Sequence, residues 1–397
     1  MFSKNKNNLG VVAFGVKTGI ITFDDNISDV VINTFKKNPE LLVNKDIICI
    51  GEAVTAITQH NTVYLNDIKV EIKKRLKLKD NSTIGVIFPI LSRNRFSMIL
   101  KAISKCVPKG KVIVQLSFPT DEEGNPILDK TYTTKNNIKY ENIITEKDLP
   151  KNKRYLHPET GMDYIEFYKN IIANHGRKAE IYLSNMVDHM INKKPDAIIV
   201  ANVHSREDTI ENIKKKFKNV ITLQDIYSNP KQKVFSEYGL LGSNILDPER
   251  EILKLAPHTA DKLAKDIQLK VKKELHKDIE VIIHGDGGYK DPESGIYELA
   301  DPVSAFGVTP GIKNKNRVGV KTKYLMQKLY TEGKNKEDIL RIIEQEKQKF
   351  LKAKKKDNFN AQGTTPRKIE NLVSALADLV SGSADANTPI VIVRGFI

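Results

Sequence analysis

The chain has 397 residues, 40% of them hydrophobic, with 64 Lys and Arg against 49 Asp and Glu, a formal net charge of +15. That length supports a large core and two or three domains, and no apolar run reaches the roughly eighteen residues of a membrane span. The basic excess is mostly Lys on helix faces such as 72–79 and 347–356, with no zinc-finger spacing and no Trp, so the composition reads as a solvated surface, with functional steering of anions as the alternative, and argues against a nucleic-acid partner.

In chain order, the opening 1–10, MFSKNKNNLG, lacks the apolar core of a secretory signal. A helix is expected over 27–36 and a strand over 46–50, DIICI. Then come a strand at 83–89, a helix at 95–105, a strand at 111–117, and helices at 162–174 and 178–192. A strand at 197–201 leads to a helix at 205–216, which opens S-R-E-D with Ser205 as N-cap. A strand at 220–223, a helix at 260–275, a strand at 279–284, helices at 336–354 and 368–380, and a strand at 389–394 complete the chain. Strands alternating with helices predict an α/β fold, and the near-continuous apolar strands predict sheets covered on both faces. The last strand, at the end of the chain, needs partners on both sides and is expected in one sheet with the N-terminal third. Two polar stretches, 120–154 and 314–365, read as surface excursions. Cys49 and Cys106 sit in apolar patterns and read as buried thiols of a reducing compartment, so a cytoplasmic location is expected.

The stretch richest in chemistry is 281–311. An apolar strand ends at His284 and runs into Gly285-Asp286-Gly287-Gly288. Glycines at a strand's C-terminal end let backbone approach a phosphate, and hard oxygen donors at Asp286, Asp291, Glu298 and Asp301 suit magnesium or manganese. His284 reads as a ligand, a proton carrier or a satisfied strand-end histidine. A second strand-to-helix transition carries Ser92, Arg93, Asn94 and Arg95, where free helix amides and two guanidinium groups suit a phosphate or carboxylate. Gly239, Gly242, Ser243, Asn244 and Asp247 form a third polar cluster, and 157–163, HPETGMD, a fourth; capping chemistry explains either equally well. No P-loop, dinucleotide fingerprint or nucleophile elbow is present.

Several of these segments, in order, resemble the coenzyme F-420 gamma-glutamyl ligase family. They are 17–27 (KTGIITFDDNI) with 46–56 (DIICIGEAVTA), 239–245 with 253–263, 281–311, and the closing helix with the terminal strand PIVIVRG at 389–395. The chain departs from the family pattern at Leu241, where a metal-binding Asp is expected, and at Ile57, where a Lys is expected. The resemblance implies a two-part, mixed-sheet α/β ligase with helices packed on the sheets and inserted polar segments. It implies a catalytic region of 1–305 with 366–397, a long insertion at about 82–238, and a helical excursion at 306–365. The implied enzyme is a homodimer that uses GTP or ATP and a divalent metal, magnesium or manganese, to join glutamate to a small-molecule carboxylate through an acyl phosphate. On this view Asp286, His284 and Arg93 are catalytic. Ser92, Arg95, Gly242, Ser243, Asn244, Gly285, Gly287 and Gly288 bind nucleotide or substrate, and Asp286, Asp291 and Glu298 hold metal. Alternatives are a folate or other amino-acid ligase of the same fold, and a non-catalytic nucleotide- or anion-binding protein.

Overall fold

The computed structural model describes residues 10–129, 131–149, 155–157, 160–174, 177–286, 289–290, 297–298, 300–316, 319–352, 368–381 and 388–397, with the backbone alone at 289–290, 297–298 and 350–352. The chain opens with β1 (Val12–Val16) and α1 (Ile27–Lys37), whose N-cap Asn26 accepts from the amides of Ser28 and Asp29. The apolar run IICIG forms β2 (Ile47–Gly51) and passes directly into α2 (Glu52–Thr58); β3 (Thr62–Tyr64) and α3 (Leu65–Arg75) follow.

From residue 83 the chain builds a second sheet. Its elements are β4 (Thr83–Ile87), α4 (Phe96–Lys105), β5 (Lys111–Leu116), α5 (Tyr132–Lys135), β6 (Ile144–Thr145), α6 (Tyr164–Ala173), β7 (Lys178–Leu183), α7 (Val187–Asn192), β8 (Ala197–Val200), α8 (Arg206–Lys214) and β9 (Val220–Thr222). The six strands lie in the order β6-β7-β5-β4-β8-β9, all parallel except β6. The chain moves outward from β4 through β5 to β7, then crosses back to β8 and β9 on the other side of β4. This is a doubly wound arrangement, with its crossover reversal between β4 and β8. One face packs on α3, α4 and α6, the other on α7 and α8.

Two expectations are corrected here. Residues 178–192 are not one helix: KAEIYL is β7, with Ile181 and Leu183 on one core and Tyr182 on the other, the period of a strand. Ser205 occupies the N-cap of α8 but makes no side-chain cap; its hydroxyl donates instead to Glu122 at 3.0 Å.

The chain then returns to the first sheet. It forms β10 (Asn244–Asp247), β11 (Ile252–Lys254), α9 (Ala260–Leu275), β12 (Glu280–His284), β13 (Tyr289–Lys290), β14 (Tyr297–Glu298) and β15 (Ala305–Val308). After these come α10 (Thr322–Thr331), α11 (Lys336–Lys352), α12 (Ile369–Ser381) and β16 (Ile390–Arg394). The first sheet has five strands, β1-β16-β2-β12-β15, so the C-terminal strand lies between two N-terminal ones, as its apolar run predicts. Helices α1 and α9 cover one face and α12 the other. A three-stranded sheet, β10-β11-β3, joins the two larger sheets by sharing a core with the six-stranded one, through Val63, Leu253 and Leu255. Helices α10 and α11 pack on each other around Leu325, Leu329, Ile339 and Ile343. Among the described residues no helix is long and apolar enough to cross a membrane.

Candidate functional site

Strands β2 and β12 are parallel neighbours that end in register, His284 beside Gly51. Their C-terminal edge therefore presents Glu52 and Gly285-Asp286 side by side, where an open α/β sheet offers its ligand crevice. The loop after β4 enters this edge from the six-stranded sheet. Tyr168 holds that loop, accepting from the Ser92 amide at 2.9 Å and donating to the Ile90 carbonyl at 2.7 Å. Ser92 Oγ in turn accepts from the Arg95 amide at 3.1 Å, and the Asn94 carbonyl accepts from the Ile245 amide at 2.9 Å. The loop is thereby pinned to β10, and Arg95 is aimed inward.

The Arg95 guanidinium forks between two acids, Asp301 at 2.7 Å and Asp286 at 2.8 Å. Asp301 is fully buried and also accepts from the Asp286 amide at 2.9 Å. Gly285 permits this approach, because a Cβ there would lie 2.3 Å from Asp301 Oδ2. Gly242, at φ +72°, takes a left-handed turn beside Asp301 that favours glycine. Next to the fork, Lys254 pairs with Glu52 at 2.5 Å, both largely buried. Two polar atoms of the site are buried without hydrogen-bond partners, Ser243 Oγ and His284 Nε2.

The electrostatics follow from crowding in a poorly hydrated place. Burial, aided by the charge of Asp301 and opposed by Arg95, pushes the Asp286 carboxyl up to about 7. Burial also raises Glu52, against the pull of Lys254. Burial works against the charge on Arg95, but Asp301 and Asp286 outweigh it and hold its pKa above the ordinary arginine value. Burial draws His284 down to about 4, so its imidazole is neutral near pH 7. Glu123, on the loop after β5, is pushed up to about 9 by burial and by Asp121.

Of the residues singled out from sequence, Arg95, Asp286, Asp301, Gly285, Gly242, Ser243 and His284 converge here. Arg93 is exposed, and its carbonyl rather than its side chain serves the turn, accepting from Ser97 Oγ at 2.5 Å. Asn244 is half-buried on β10, opposite Lys254. Asp247 caps its own turn by accepting from the amides of Glu249 and Arg250. Asp163 caps α6, and the His157 ring accepts from the Thr160 amide, so that cluster serves local structure. Gly287, Gly288 and Asp291 lie outside the described residues, as does the side chain of Glu298. Among the described residues no three His, Cys, Asp or Glu side chains form a ready-made metal site.

Sequence reasoning missed Glu52 and Lys254. Each carried a signal: an acid directly after an apolar strand, and a lone lysine inside the apolar run ILKLA. The buried ammonium of the site thus comes from β11, whereas position 57 on α2 is isoleucine.

The family model for F420-0:gamma-glutamyl ligase matches residues 15–395, and the chain belongs to that family of amide-forming ligases. No curated protein matches the chain significantly.

Proposed function

We propose that this member of the F420-0:gamma-glutamyl ligase family is a cytoplasmic, homodimeric enzyme that adds L-glutamate to a carboxylate acceptor at the expense of GTP or ATP. The observation that carries the reading is the Arg95 guanidinium held between Asp286 and Asp301, beside the buried Lys254, where three sheets meet. A carboxylate is a poor electrophile, so it must be activated before an amine can attack it. An acceptor carboxylate oxygen attacks the γ-phosphorus and the nucleoside diphosphate leaves. The glutamate nitrogen then attacks the acyl carbon, phosphate leaves, and the nitrogen gives up its proton.

Arg95 and Lys254 would offset the negative charge of the phosphoryl oxygens, in a site dry enough for that to matter. Ser243 Oγ and His284 Nε2 offer unused hydrogen-bonding capacity to a bound ligand. A neutral His284 fits that role better than proton transfer near pH 7. The donor set also fits a divalent cation, since Asp286 and Asp301 both lie against Arg95 and bring hard carboxylate oxygens to one place. Asp286 and Asp301 would hold magnesium or manganese, which typically takes one or two carboxylates and fills the rest with water and phosphate oxygens. A cation there would supply further neutralisation of the transferring phosphoryl group.

The test is incubation with F420-0, labelled glutamate, magnesium or manganese, and either GTP or ATP. Phosphate release that depends on the acceptor and equals the glutamate incorporated is expected. Nucleotide hydrolysis without incorporation, or no turnover with either nucleotide, would remove the proposal. Sedimentation of the pure protein checks the dimer.

A further inference from the structure

The six-stranded sheet carries a cavity of its own, about 570 Å³, at the C-terminal ends of β4, β5, β7 and β8. This is the crossover reversal of the doubly wound sheet, the position where such folds take ligands, and the volume suits a small molecule. We propose that this cavity binds an uncharged, planar heteroaromatic compound bearing N–H donors, the chemistry of a nucleoside.

Three observations set that class. The walls include three aromatic side chains, Phe88, Phe118 and Tyr140, against which a flat ligand can pack. Phe88 follows β4 at φ 54°, a left-handed conformation unusual for a bulky residue, with its amide tied to the Gln115 carbonyl at 2.9 Å.

The second observation is Asn202, which lines the cavity after β8 and is 3% exposed. Thr209 Oγ1 donates to the Ser205 carbonyl at 2.9 Å, so it must accept from the Asn202 amide nitrogen, 3.0 Å away. That orients Asn202 Oδ1 as a buried acceptor, and it has no partner. A buried carbonyl of this kind calls for a donor. A ring N–H or exocyclic amine seated between the aromatic walls supplies one.

Charge is the third. Asp121 and Glu122 line the cavity, and none of its described lining residues is basic. The α8 N-terminus, a natural phosphate site, is taken by the chain itself. The Glu122 carboxylate accepts from the amides of Val203, His204 and Ser205 and from Ser205 Oγ. A phosphate would have to displace Glu122 and stand against Asp121, so an uncharged ligand is favoured over a nucleotide.

Calorimetry on the full chain with adenosine and with AMP tests this, alongside Asn202→Leu and Tyr140→Ala, neither of which touches the ligase site. Adenosine should bind about tenfold more tightly than AMP. Asn202→Leu should weaken adenosine about tenfold or more, and Tyr140→Ala, a change at an exposed side chain that leaves the melting profile intact, severalfold. Three results would each overturn the proposal: no binding of adenosine at millimolar concentration, tighter binding of AMP, or adenosine binding unchanged in both variants. The last would put adenosine elsewhere, including the nucleotide site proposed above, and leaves the ligase reading intact.

Discussion

Arg95 satisfies two acids at once, and that geometry separates its size from its charge. In Arg95→Lys a single ammonium reaches Asp286 or Asp301 but does not fork between them as the guanidinium does at 2.8 and 2.7 Å. Turnover should fall about a hundredfold, the cost of one lost charge contact in the transition state. Arg95→Met removes the charge and leaves buried Asp301 uncompensated, which should cost about 3–5 kcal/mol of stability; steady-state rates and urea unfolding of the two variants check both. Glu123 makes a pH prediction. Its folded pKa of about 9 lies far above the ordinary 4.5, and it feels Asp121, Arg95, Glu122 and Asp286. The folded protein therefore keeps a proton that the unfolded chain releases, so this stabilisation is full below pH 4.5 and fades as pH rises towards 9. Glu123→Gln cannot titrate, so its melting temperature relative to the unmodified protein should climb between about pH 5 and 8. A difference that stays flat across that range would show Glu123 to be ordinarily ionised. Asp286 and Arg95 were legible in the sequence because each follows an apolar strand at a turn into polar residues. Glu123 was not, because only the fold of the 117–126 loop buries it.

Strand β16 shows why some elements can be read from sequence and others cannot. Its apolar run has no competing period, and the four residues Ile390–Val393 are fully buried. Ile390 and Ile392 enter one core, Val391 and Val393 the other. Arg394 closes the strand with a bidentate pair to buried Asp46, at 2.9 and 2.8 Å. At about 1.5–3 kcal/mol per buried aliphatic side chain, losing these four approaches the whole stability of a typical domain. Deletion from Pro389 onward should therefore give insoluble protein; a soluble truncation with unchanged melting would show that β1 and β2 hold without the strand between them. By contrast β7 was misread because KAEIYLSNMVDHM satisfies a helical period as well as an alternating one. The short strands β3, β10 and β11 were missed because TVY, NILD and ILK are broken by polar residues, whereas the equally short β8 and β9 were read from AIIV and VIT; β11 is the one that brings Lys254 into the site.

At the scale of the whole molecule, the family resemblance implies a long insertion at about 82–238 within the catalytic region, and the packing joins that segment to the rest of the chain. The six-stranded sheet shares a single core with residues outside the insertion: Val63, Leu65, Ile68 and Ile72 from β3 and α3, and Leu253 and Leu255 around β11. Pairing patterns within a segment cannot reveal this, because shared burial depends on which segments meet. The two parts also share the site, since Arg95 comes from one and Asp286, Asp301 and Glu52 from the other. Replacing 82–238 with a short flexible linker would leave those six aliphatic side chains in water, at a cost of about 1.5–3 kcal/mol each. It would also strip the acids of their guanidinium partner. The excised protein should be insoluble, or soluble only as a dye-binding species without cooperative unfolding. Calorimetric melting and dye fluorescence distinguish the outcomes. A soluble product with a sharp transition would mean that the five-stranded sheet folds alone and that the shared core is a docking surface between independent units.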